Sequence, residues 1–213
     1  MFIDLVDALR CPRPHEDTWL VAAALETRGR CFVRGTLGCP ICRAEFTLEQ
    51  GIALFDGAGE GVEGTVDAAL SDEDPGALAM RLAALLDLVE PGGIVAVGGA
   101  WEPALAPLLE VASVRALVIE PVADWTPREP LGALRGAGLP VAAGGLRGVA
   151  LDARTCDAER MAAAVRALRP RGRLLAPAHA ALPVGVRELA RDARHWVAER
   201  EETVSGLVPL RRG

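Results

Sequence analysis

Cys39-Pro-Ile-Cys42 has the two-residue spacing at which a tight turn presents two thiolates to one tetrahedral Zn²⁺. One such knuckle is half a site. The only upstream cluster with two candidate ligands is Cys11-Pro-Arg-Pro-His15, whose three-residue spacing the longer reach of imidazole accommodates. The expected metal set is therefore Cys11, His15, Cys39 and Cys42. Cys31 competes for a place in it, but the extended chain between Cys31 and Cys39 would hold the two about 26 Å apart at strand rise. That separation makes Cys31 a buried apolar thiol. Two other readings stay open, a ribbon without metal and a redox pair at Cys39 and Cys42.

A second chemical stretch is Gly92-Gly-Ile-Val-Ala-Val-Gly-Gly-Ala-Trp-Glu-Pro-Ala-Leu105, an apolar run that breaks into paired glycines and resumes as a helical pattern. In open α/β domains such a strand-turn-helix delivers a ligand to a helix N-terminus. Cofactor-binding turns carry three spaced small residues, whereas Gly98 and Gly99 are followed here by Ala100, Trp101 and Glu102. Asp152 reads as a carboxylate capping the turn after a strand, and His179 and His195 as surface or strand imidazoles. Cys156 lies in a polar turn near Arg154, with no base or oxyanion hole legible beside it.

The elements that must position these residues fall into two groups. Residues 1–10 form a short amphipathic turn or helix, 18–25 a strand, Thr27-Arg-Gly-Arg30 a hairpin turn and 31–37 the return strand into the knuckle. Residues 44–48 and 51–55 form another short hairpin. The glycine-rich, acidic stretch from Asp56 is a linker, and Ser71-Asp-Glu-Asp-Pro75 opens a helix running to Pro91. After it, elements alternate: strands at 94–97, 115–120, 139–142, 148–152 and 172–176, with helices at 103–112, 131–136, 158–168 and 185–194. Two final strands, 195–202 and 206–211, form an antiparallel hairpin. Alternation with short connections implies a mostly parallel sheet covered on both faces.

The N-terminal apolar turn, the Cys-Pro knuckles, the hairpin and the Gly51-Ile-Ala-Leu-Phe55 ending resemble the Trm112-like zinc-ribbon family and the related ribbons fused to bacterial methyltransferases. Pro14 stands where the first knuckle's second Cys would fall. From residue 72 onward, seven strands with a terminal hairpin, and the phrase Val165-Arg-Ala-Leu-Arg-Pro-Arg-Gly-Arg-Leu-Leu175, resemble the class I S-adenosylmethionine-dependent methyltransferases. The resemblance implies three parts: a zinc-ribbon module over 1–55, a flexible linker over 56–71 and a Rossmann-like methyltransferase domain over 72–213. It also implies S-adenosylmethionine lying across Gly98, Gly99 and Glu120, with Glu120 accepting from the ribose hydroxyls and a methyl acceptor near Asp152. Ala96 replaces the family's acidic residue before the first glycine, and Ala100 and Glu102 replace later glycines. Asp152-Ala-Arg lacks the Asn/Asp-Pro-Pro-aromatic stretch of amino-methylating relatives. A non-catalytic binding or regulatory protein built on both modules is the alternative expectation.

Composition narrows the function classes. The 213 residues carry a net charge of -6, which opposes a general nucleic-acid role, and all 23 cations are Arg. Without Lys there is no P-loop lysine, and no Ser-His-Asp signature has local context. No apolar run reaches the roughly 18 residues of a membrane span, and the start of the chain lacks a signal-peptide pattern, so the expected location is cytoplasmic. Five Cys in that setting read as thiols or metal ligands rather than a disulfide framework. The partner expected is a protein or a small-molecule or macromolecular methyl acceptor.

Overall fold

The computed structural model describes residues 1–56, 70, 73–122 and 125–202. Most of the expected linker and the expected last strand at 206–211 lie outside the described residues.

The chain opens with helix α1 (Ile3–Val6) and an antiparallel meander of strands β1 (Val21–Arg28), β2 (Cys31–Gly38), β3 (Glu45–Glu49) and β4 (Ile52–Leu54). Its turns follow local chemistry. Gly29 takes φ 57 in the two-residue β1–β2 turn, and Gln50 and Gly51, at φ 49 and 75, close β3 onto β4. A Cβ at Gly51 would stand 2.3 Å from the Pro127 ring, so glycine is required there for space as well as for φ.

Helix α2 (Pro75–Leu85) starts as its sequence dictates. The Asp74 side chain accepts from the Ala77 N–H, and Pro75 occupies a first-turn position where no donor is needed. There follow β5 (Ile94–Gly98), a 3₁₀ turn (Gly99–Ala104), α3 (Leu105–Val111), β6 (Arg115–Ile119), β7 (Leu131–Arg135), β8 (Leu146–Ala150), α4 (Ala158–Ala167), β9 (Leu168–Pro177), β10 (Val186–Arg191) and β11 (His195–Arg200). Two expected helices are strands. The span 131–136 holds β7 (Leu131–Arg135), buried on both faces, and 185–194 holds edge strand β10. The expected weak strand at 139–142 is reduced to a single bridge between Leu9 and Val141. Strands β10 and β11 form an antiparallel hairpin, and the partner expected for 195–202 at 206–211 lies outside the described residues.

All strands among the described residues belong to one sheet ordered β1-β2-β3-β4-β7-β6-β5-β8-β9-β11-β10. Every pairing within the run β4-β7-β6-β5-β8-β9 is parallel, while β3 runs antiparallel to β4 and β11 antiparallel to β9. Strand β4 pairs with β7 through Ile52 and Ala133, Ala53 and Leu134, and Leu54 and Arg135, which extends the N-terminal meander into the parallel sheet.

Side-chain alternation divides the core between the two faces. Val95, Val97, Ala116 and Val118 pack with α2, α3 and Trp101 on one face. Ala96, Leu117, Ile119 and Val149 pack with the α1 segment and α4 on the other. Both edge strands are exposed along most of their length, and each is interrupted by a bulge or register shift that disfavours pairing with another chain. Among the described residues no helix is long and apolar enough to cross a membrane.

Candidate functional site

The ribbon brings Cys11, His15, Cys39 and Cys42 together, with one ligand atom from each lying within 4.8 Å of the others. The knuckle is a tight loop. The Cys39 N–H donates to the Ala44 carbonyl and the Arg43 N–H returns to the Cys39 carbonyl, with Arg43 at φ 61. The other half is set by the Cys11 N–H donating to Thr18 and by the bridge between Arg10 and Trp19, which bring the Cys11–His15 loop beside the knuckle.

Cys11 Sγ is 3.7 Å from Cys42 Sγ, and Cys39 Sγ is 3.4 Å from His15 Nε2. A tetrahedral zinc site with bonds of about 2.3 Å to sulfur and about 2.05 Å to nitrogen has S···S and S···N edges of about 3.8 and 3.6 Å. The observed edges match both. His15 Nδ1 lies 2.7 Å from the Glu16 carbonyl, to which its N–H donates, and that tautomer leaves Nε2 with its lone pair toward the thiols. Three thiols and one imidazole with these edges form a closed four-coordinate set that could hold a metal ion such as Zn²⁺. Cys31 stands apart, buried at the start of β2 in the core, as its spacing implied.

The thiols of this cluster differ in acidity. Burial pushes Cys11 up to about 12, and the neighbouring thiols add to the rise against one opposing backbone hydrogen bond near Arg13. Burial acts in the same sense on Cys39, but backbone hydrogen bonds from Cys42 and Ile41 and the thiols of Cys42 and Cys11 outweigh it and lower Cys39 to about 6. Cys39 therefore loses its proton before Cys11 does.

The glycine turn lies at the C-terminal end of β5, where open α/β sheets receive ligands. Gly98, Gly99, Ala100 and Trp101 are all buried. A Cβ at Gly98 would meet Thr155 Oγ1 at 2.6 Å and Asp152 Oδ2 at 2.7 Å, and one at Gly99 would meet the Glu120 carbonyl oxygen at 2.2 Å. The glycines thus admit protein rather than an open space. The Ala100 N–H donates to Asp152 Oδ2 at 2.8 Å, while Asp152 Oδ1 accepts from Thr155 Oγ1 and the Arg154 N–H. Asp152 is a fully engaged turn cap.

Trp101 is wholly buried. Its indole N–H donates to the Leu151 carbonyl, its ring lies 5.4 Å from that of His195, and the Arg81 guanidinium sits 5.7 Å from its centroid. The side chain belongs to the core beneath α2 and α3.

Glu120, at the end of β6, is also buried, with its backbone in the left-handed region at φ 53. Its Oε1 accepts from Arg160 Nη2 at 3.0 Å and from the Gly136 N–H at 2.8 Å, and its Oε2 lies 3.7 Å from Arg135 Nε. Arg160 also donates to the Gly136 carbonyl and to Asp157, whose side chain caps α4. Sequence reasoning missed Arg160. Its one signal is position, since it shares the buried stripe of α4 with Met161, Ala164 and Ala167. Near the ends of β8 and β9, Cys156 Sγ lies 3.9 Å from Nε2 of the exposed His179, so an imidazole does stand beside this thiol. Burial raises the Cys156 pKa, and the Asp152 and Asp157 carboxylates add to the rise.

On the other side of the metal cluster, Cys11 and His15 form part of the wall of an open cavity of about 480 Å³. Arg10 and Asp17 of the ribbon, and Glu159 and Arg166 of α4, complete its polar lining.

No family model matches the chain, and no curated protein matches it by sequence. Solved structures similar to it include an antibiotic-resistance methyltransferase, Kmr, at 16% identity and a TM-score of 0.40, covering 58% of this chain and 93% of that one. A geranyl diphosphate methyltransferase in complex with SAM is similar at 16% identity and a TM-score of 0.40, over 56% of each chain. The geranyl diphosphate C-methyltransferase of Streptomyces coelicolor A3(2), in complex with Mg²⁺, geranyl-S-thiolodiphosphate and S-adenosyl-L-homocysteine, is similar at 15% identity and a TM-score of 0.39. That match covers 53% of this chain and 52% of the enzyme, so the chain spans about half the length of these geranyl diphosphate enzymes. The sheet order and the reversed β11 give the chain a Rossmann-like α/β fold, extended at one edge by a meander that carries the Cys/His cluster.

Proposed function

We propose that this chain is a non-catalytic protein of the methyltransferase fold, a binding or regulatory protein with a structural zinc ribbon of the Trm112-like kind at its N-terminus. The ribbon spans 1–55, the linker 56–71 and the Rossmann-like domain 72–213.

The observation that carries this reading is the engagement of the expected cofactor residues by the protein itself. A ribose-binding acid must offer free carboxylate oxygens, and Glu120 gives its own to Arg160, Gly136 and Arg135. A cofactor turn must offer backbone N–H groups and open space, and here Ala100 donates to Asp152 while the glycines pack on Asp152, Thr155 and Glu120. Opening such a site means stripping a buried carboxylate of its guanidinium, a cost of about 3–5 kcal/mol before any ligand contact is made. As engaged here, Glu120 and the glycine turn offer S-adenosylmethionine few free polar groups, and no methyl-transfer step is assigned to them. The net charge of -6 favours a protein partner over nucleic acid.

Calorimetric titration of folded, metal-loaded protein with S-adenosylmethionine and S-adenosylhomocysteine tests the reading. The expected result is no binding heat at high micromolar ligand, and a saturable isotherm with either ligand would overturn it.

A further inference from the structure

We propose that Cys11 and Cys42 are a peroxide-sensitive thiol pair that closes to a disulfide and expels the metal, with Cys42 attacking first. The inference rests on the metal reading of the ribbon and concerns which two of its sulfurs react.

The four ligands are not equivalent. Cys42 is exposed, Cys11 is half-buried and Cys39 is buried. The thiol that meets a small oxidant from solvent is therefore Cys42. Its neighbour Cys11 Sγ is 3.7 Å away, and bringing the sulfurs to a bond of about 2.05 Å requires a shift of under 2 Å. Cys39, although it shares the knuckle with Cys42 and its sulfur interacts with both other thiols, is buried and lies 3.4 Å from His15 Nε2, away from an oxidant arriving from solvent. The reactive pair thus runs across the ribbon, between residues 31 positions apart in sequence, rather than within the knuckle.

The chemistry balances with one hydroperoxide per pair. The Cys42 thiolate attacks a peroxide oxygen and becomes a sulfenic acid, releasing hydroxide. Cys11 gives up its proton to solvent, attacks that sulfur as a thiolate and displaces a second hydroxide as the disulfide forms. Two thiolates lose two electrons in all, the peroxide O–O bond gains them, and solvent protons convert both hydroxides to water. Only His15 and Cys39 then remain of the donor set. Two donors in place of four cannot hold the ion in a closed tetrahedral site, so it leaves.

Oxidation also has a structural consequence. The disulfide preserves the tie between the Cys11 segment and the knuckle, while His15 loses its metal partner. Cys11, His15 and Asp17 line the 480 Å³ cavity on the seam between the ribbon and α4, so the wall of that cavity changes with redox state.

The test uses the full chain loaded with Zn²⁺, its zinc content measured first, then treated with one equivalent of hydrogen peroxide. Zinc release is followed with a chromogenic chelator and the disulfide is located by non-reducing peptide mass mapping. The expected result is a Cys11–Cys42 disulfide with one zinc released per disulfide, unchanged in C156S. In C42S, treated in the same way, Cys11 enters no disulfide. A disulfide joining Cys39 to Cys42, or one involving Cys31 or Cys156, overturns the proposal. So does oxidation of Cys42 with zinc retained. If the protein binds no zinc, the metal reading fails by itself, and mapping in wild-type protein still decides whether Cys11 and Cys42 are the pair.

Discussion

Replacing Arg160 with Met removes the guanidinium that engages Glu120 and leaves a carboxylate whose side chain is 5% exposed. Breaking a buried ion pair from one side costs about 3–5 kcal/mol, because the remaining charge stays uncompensated. Here the lower half of that range is expected. Glu120 keeps the Gly136 N–H at 2.8 Å and Arg135 at 3.7 Å, although the Gly136 carbonyl loses its donor. For a chain of this size, a loss of about 3–4 kcal/mol lowers the melting temperature by roughly 6–16 °C. The double variant E120Q/R160M removes both charges and retains an acceptor for Gly136, so it should recover most of the loss. Urea unfolding at fixed zinc concentration, run on wild type, both single variants and the double, measures the coupling directly. An R160M protein within about 0.5 kcal/mol of wild type would refute the argument that Glu120 is committed to a structural pair. So would a double variant as unstable as the sum of its singles.

Further outcomes follow from the ribbon and the glycine turn. H15A, which leaves three thiols, should weaken zinc binding by roughly 100-fold or more and is checked by competition with a chelator. Zinc affinity should rise with pH. Cys11, pushed up to about 12, carries a proton throughout the neutral range and must release it to bind, so the apparent Kd falls at least about tenfold per unit from pH 7 to 9. Below about 6 the slope steepens, because Cys39 then also holds a proton that the metal must displace. A pH-independent Kd over that range would contradict the ligand role of Cys11. W101A should cost about 3–5 kcal/mol in urea unfolding by leaving a cavity beneath α2 and α3, and it should not create S-adenosylmethionine binding, since Glu120 and Asp152 remain engaged.

What was legible in the sequence was local or strictly periodic. The knuckle declares itself through two Cys at fixed spacing, and its partner half through elimination, since strand rise carries Cys31 out of reach. The α2 start was legible because Asp74-Pro75 is capping chemistry in adjacent residues. Strand β7, Leu-Gly-Ala-Leu-Arg, is buried on both faces, so it shows no alternation and its composition suits a helix equally well. Strand β10 fails in the opposite way. Most of its residues are exposed, and Arg, Glu, Leu and Ala are good helix formers, so the ladder with β11 overrides local preference. In the glycine turn, the acids at 120 and 152 were visible as strand-end carboxylates, but not what they bond. Arg160 lies 40 positions from Glu120, and only the fold brings the two together.

The central claim is that the chain holds a metal in its ribbon and holds no methyl donor in its sheet. A native mass spectrum of the zinc-loaded full chain in the presence of excess S-adenosylmethionine reads both at once. The predicted species is one chain with one Zn²⁺ and no cofactor adduct, unchanged as the cofactor is raised to high micromolar. A one-to-one S-adenosylmethionine adduct that survives gentle activation and is lost on competition with S-adenosylhomocysteine would contradict the account.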